Sequence, residues 1–165
     1  MNLSKLNQCG RKMFILFGII LTSLNTMALT GGGDGSGGGG RIEALFRSRA
    51  YSMISKIAKT PEADSLCPAA IIRSSFEKTK IRIVTQLTNP ATGKPIDEVG
   101  LDAWTVPGDM QLLGSSWSAN FAGAYYTDSG ITTLILHEIY RSTGGICDDE
   151  NFKISAAVAD LIAFN

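Results

Sequence analysis

The stretch "LILHEIYRSTGGICDD", Leu134 to Asp149, holds the side chains of this chain best suited to chemistry. His137 is the single histidine. Its imidazole can ligate a metal or move a proton near neutral pH. Glu138 follows it and could polarise a water molecule. One turn further on stands Arg141, a permanent cation that cannot ligate. Positions 137, 138 and 141 fall on one side of a helix. Cys147, Asp148 and Asp149 come next and offer a thiolate and two carboxylates. Two chemistries compete for this set. In one, His137 and an acid from Asp148 or Asp149 hold a metal while Glu138 acts as base. In the other, Arg141 takes the place of the metal charge, pairs with Glu138, Asp148 or Asp149, and His137 hydrogen-bonds within that network. The second needs no ligand that the sequence lacks, and it is the preferred reading.

These residues need elements to position them. "GITTLILHEIYRST" reads as a helix that starts after Asp128-Ser129-Gly130. Ile131, Leu134, Ile135, Leu136 and Ile139 surround its axis, so the helix should be buried. Gly144-Gly145 should end it, one of them in the left-handed conformation. "CDDENFKISAAVADLIAF" predicts a last helix with Asp148 or Asp149 at its start, where a carboxylate suits the free N–H groups. Upstream, Ile42, Leu45, Phe46, Met53, Ile54 and Ile57 recur at helical spacing, and that helix should stop near Thr60-Pro61. A short helix fits Ala69 to Phe76. "KIRIVTQL" alternates as a strand does, with Ile81, Ile83, Thr85 and Leu87 on one face. Two or three short extended pieces between Ile96 and Trp117, among them "VGLDAW" and "MQLLGSSW", have short connections and are expected to pair antiparallel.

The His137-Glu138 helix resembles the active-site helix of the zincin metallopeptidases, whose motif His-Glu-x-x-His carries two zinc ligands and a catalytic glutamate. In that frame Arg141 stands where the second histidine belongs. Gly144 is in register with the longer metzincin form, and Cys147 occupies its third-ligand place. No methionine follows the helix. The resemblance covers about eleven residues and implies a zincin-like shape with a degenerate site; if the site were active, zinc would be the cofactor and Glu138 the catalytic residue. The chain is also similar to small secreted proteins of predatory bacteria. These combine a signal peptide, a strand-rich middle with a tryptophan, and a late His-Glu helix. Trp117, His137, Glu138, Gly144 or Gly145, Asp148, Asp149, Phe152 and Ser155 carry that likeness.

Composition narrows the setting. The 165 residues suit one domain, and bases and acids balance at 15 each. Lys5, Arg11 and Lys12 lie in the first 28 residues, which hold no acid, so the remainder is mildly acidic. That argues against a nucleic-acid partner, which needs clustered cations. The basic start, the apolar run "MFILFGIIL" and the small residues Thr26 and Ala28 read as a secretory signal over residues 1–28. The run is too short to span a bilayer comfortably, which takes about 20 residues. The chain is therefore expected in the periplasm or outside, with no membrane span after cleavage. Residues 29–40 include "GGGDGSGGGG", a tether without a core or the strand and Gly-Lys-Ser/Thr of a phosphate loop. After cleavage Cys67 and Cys147 remain, an even pair in an exported chain, and a disulfide between them is expected. It would exclude Cys147 as a metal ligand.

Other constellations are weaker. Ser142 and Ser155 lack a Gly-x-Ser-x-Gly setting for a hydrolase with His137. Glu138 with Asp148 or Asp149 could form a carboxylate pair, although acids beside an arginine are more often salt-bridge networks. Trp104, Trp117, Phe121, Tyr125 and Tyr126 are mostly core, with an exposed subset able to grip a sugar or peptide. The whole predicts an α+β domain over 41–165: an N-terminal helix, a small antiparallel sheet and two C-terminal helices. Its expected role is non-catalytic binding or structure with an envelope or peptide partner and no cofactor. The alternative is a divergent metal-dependent hydrolase that uses His137, Glu138 and Asp148 or Asp149.

Overall fold

In the computed structural model, residues 38–163 are described, except Asp97, Val99, Tyr125, Asp148 and the Asn151 side chain. The expected signal peptide, most of the glycine tether and Asp148 therefore lie outside the described residues. The order of elements is α1 (Gly39–Ile57), α2 (Pro61–Leu66), α3 (Ala69–Glu77), β1 (Lys80–Val84), β2 (Ala103–Val106), β3 (Asp109–Leu113), α4 (Gly114–Phe121), α5 (Asp128–Arg141) and α6 (Lys153–Ala163). A single 3-10 turn, Glu150–Phe152, leads into α6. The class is α+β, as the sequence predicts, with helices at both ends of the chain and a three-stranded sheet between them. No described helix is long and apolar enough to cross a membrane.

The sheet corrects one expectation. Its order is β1-β3-β2, and it is mixed, not wholly antiparallel. β2 and β3 form the expected antiparallel hairpin, with Val106 opposite Asp109. Their turn is Pro107-Gly108, with Gly108 at φ 80°, the conformation that a type II turn asks of its third residue. β1, however, runs parallel to β3, with Lys80 opposite Asp109 and Val84 opposite Leu113. Parallel neighbours need a long crossover, and the segment from Thr85 to Asp102 supplies it before the chain returns as the hairpin. "MQLLGSSW" is extended only as far as Leu113, since Gly114 opens α4 and places Trp117 on a helix. A Cβ at Gly114 would lie 3.1 Å from the Ile83 side chain, so glycine lets α4 start close against β1.

The core explains why these elements hold. α1 buries Ile42, Phe46, Ala50, Met53, Ile54 and Ile57 along one face. Phe46 meets the Trp117 ring edge-on at 5.0 Å, a favoured aromatic geometry. The Trp117 indole N–H donates to the Asp102 carbonyl at 2.9 Å. From the sheet, Ile81, Met110 and Leu112 enter the same core. α5 is buried nearly all round, from Ile131 to Tyr140, as its apolar pattern predicts. Cys67 and Cys147 are joined across 80 residues with Cα atoms 5.6 Å apart. The bond ties the α2–α3 junction to the loop that follows α5.

Candidate functional site

The polar end of α5 opens onto a cleft of about 700 Å³ lined by Thr105, His137, Arg141, Gly144, Asp149 and Glu150, among others. Three segments build it. α5 brings His137 and Arg141; strand β2 brings Thr105; the loop into α6 brings the glycines and acids. The end of α5 is set by Gly144 and Gly145, both at positive φ (71° and 88°). A side chain at Gly144 would also press on Pro107, since a Cβ there would lie 3.0 Å from the Pro107 Cγ.

His137 is held from two sides. Its Nδ1 lies 2.8 Å from Asp149 Oδ2. The side-chain exposures are 11% and 0%, so the bond is made away from water. Asp149 Oδ1 accepts the backbone N–H groups of Ile154 and Ser155 at 2.8 and 3.0 Å. One carboxylate thus fixes the imidazole and satisfies free N–H groups at the start of α6. Burial alone would push the Asp149 carboxyl up. The hydrogen bonds from His137 and Ser155, with the His137 charge, outweigh that and hold it below the usual carboxylate range. On its other side the imidazole stacks on Phe152, with ring centroids 3.9 Å apart and planes 23° off parallel. Phe152 has φ 59°. A bulky residue in the left-handed region costs about 1–2 kcal/mol, so the stack and the start of α6 hold this backbone in place.

Glu138 points elsewhere. It is buried and accepts a short hydrogen bond from the Thr105 hydroxyl. Burial raises its pKa; the Thr105 hydrogen bond and the His137 and Arg141 charges offset part of that rise. Tyr140, one turn on from His137, is fully buried, and its hydroxyl has no partner among the described residues. Burial pushes its pKa up, and the Asp149 charge adds to the effect.

The structure brings His137 and Asp149 together and places Glu138 against Thr105. Arg141 is exposed and makes no ion pair among the described residues. Asp148 lies outside them. The other sequence candidates are spoken for or distant. Ser142 donates to the Ile139 carbonyl and Ser155 to the Phe152 carbonyl. Asp128 begins α5, nine residues before His137, which is roughly 13 Å along the axis. Trp117 is core; Tyr126 is half-exposed and bonds Asp102. Thr105 was invisible to sequence reasoning, because it lies 33 residues from Glu138. A buried glutamate on an apolar helix demands a donor, but no spacing names it.

A zinc centre asks for three protein ligands and an open position. Here Cys147 is in the disulfide, Arg141 cannot ligate, and Asp149 is engaged by His137 and α6. Among the described residues no three His, Cys, Asp or Glu side chains converge. The described donors do not fit zinc. No family model, curated protein or solved structure matches this chain.

Proposed function

We propose that this is an exported binding protein whose His137–Arg141 cleft recognises a ligand without catalysing a reaction. The observation that carries the reading is how the polar side chains are committed. Asp149 locks His137 and caps α6, and Thr105 holds the buried Glu138. Among the described cleft residues, Arg141, Glu150 and the edge of the imidazole remain to meet a ligand. Hydrolysis of the zincin type would need a carboxylate base facing the cleft and a group to polarise the substrate. Glu138 instead is buried and accepts a hydrogen bond from an internal hydroxyl. The export reading rests on the basic and apolar pattern of residues 1–28, and the buried disulfide agrees with an oxidising compartment. The site keeps the His-Glu start of a zincin helix and uses it as a scaffold.

The test is turnover. Wild type and Glu138→Gln are incubated with fluorogenic peptides in zinc-supplemented buffer. Equal background rates are expected. A wild-type rate that zinc raises and Glu138→Gln abolishes would overturn the proposal.

A further inference from the structure

Resting on the binding reading above, we propose that the cleft takes the C-terminal carboxylate of a peptide that ends in a large apolar residue. Arg141 would grip the carboxylate, and Phe152 with Ile146 would receive the side chain. The guanidinium is planar, and its fork of N–H donors matches a carboxylate. Arg141 is exposed on the cleft wall and makes no ion pair among the described residues. Its neighbour Glu138 is turned inward to Thr105, so no described carboxylate pairs with the cation.

The apolar half of the recognition is adjacent. Only five large apolar residues are exposed among the described ones, and two of them, Ile146 at 67% and Phe152 at 41%, flank this site. Phe152 stacks on the imidazole that lines the cleft; Ile146 sits between Gly145 and Cys147, which line it too. A Cβ at Gly145 would meet no heavy atom within 4 Å, so the cleft lining is open at that glycine. The wall also selects the kind of anion. Asp149 and Glu150 share it with His137 and Arg141, which disfavours phosphate dianions and polyanions. A single carboxylate with an amide N–H beside it suits Arg141, which has no ion pair among the described residues, and the exposed acid Glu150.

The experiment is NMR titration of the purified protein with N-acetyl-Ala-Ala-Phe, with the same peptide as its C-terminal amide, and with free phenylalanine. The inference expects shifts centred on Gly144 and Gly145. It also expects the free acid to bind about tenfold or more tightly than the amide, the range for a charge-assisted hydrogen bond. Arg141→Gln, an exposed substitution, should remove that preference while leaving the remaining spectrum unchanged. Equal binding of acid and amide, shifts away from the cleft, or no shift with any of the three overturns the carboxylate inference. Free phenylalanine binding as tightly as the peptide overturns the peptide as occupant. None of these results produces zinc-dependent turnover, so failure here is distinct from failure of the binding reading.

Discussion

Asp149 serves His137 and the last helix at once: Oδ2 lies 2.8 Å from the imidazole Nδ1, and Oδ1 accepts the Ile154 and Ser155 N–H groups. The site and the C-terminal fold therefore share one carboxylate. Asp149→Ala should lower stability by about 3 kcal/mol, the sum of a lost cap and a lost buried charge-assisted bond. Asp149→Asn should cost less, because its remaining oxygen can still cap α6. Denaturant unfolding of both variants measures the difference, and equal losses would separate the two roles assigned to this residue.

The pH dependence of stability carries two opposed slopes. Glu138 has a raised pKa in the fold, so the native state binds its proton more tightly than the unfolded chain. Its contribution is complete below the ordinary value of about 4.3 and is lost as pH rises through the folded pKa. Asp149 is depressed. Its contribution is present above about 3.9 and is lost as pH falls through its folded pKa. Glu138→Gln should flatten the decline on the rising side and leave the acid side unchanged. Thermal melts of the variant and wild type across the acid-to-neutral range decide this.

The disulfide closes a long loop, with Cys67 and Cys147 80 residues apart. On the chain-entropy account such a loop contributes about 4 kcal/mol. Replacing both cysteines by alanine should lower the unfolding free energy by about that amount. It should also loosen the Gly144–Asp149 loop before the core opens, which hydrogen exchange reads directly.

Gly144 sits at φ 71°, with Pro107 3.0 Å from where a Cβ would stand. Gly144→Ala should therefore cost about 1–2 kcal/mol from backbone conformation and more if Pro107 fails to give way. Gly145→Ala, in open space, should show the backbone cost alone. A calorimetric comparison of the two isolates the contact with the β2–β3 turn.

Much of the helical frame was legible in the chain. The spacing of Phe46, Met53 and Ile57 announced α1, and the apolar ring from Ile131 to Ile139 announced a buried α5. The cysteine pair and a left-handed glycine after α5 followed from local chemistry as well. What stayed hidden depends on tertiary pairing. Nothing local in "KIRIV" says that it runs parallel to a strand formed some 25 residues later. "GSSW" carries no helix signal of its own, and a tertiary contact of α4 is Trp117 packed on Phe46 of α1. At the site, His137, Glu138 and Asp149 were named from sequence. Their commitments were not, because Thr105 comes from the sheet and Phe152 takes a backbone conformation that its residue type does not favour.

The central claim is that the His137 site works without a metal. Zinc stoichiometry of the purified wild-type protein, by elemental analysis beside His137→Ala, tests it most directly. The account predicts less than a tenth of an equivalent in both, on the order of contamination, because the described donors fall short of a three-ligand set. One equivalent of zinc in the wild type that His137→Ala releases would contradict it.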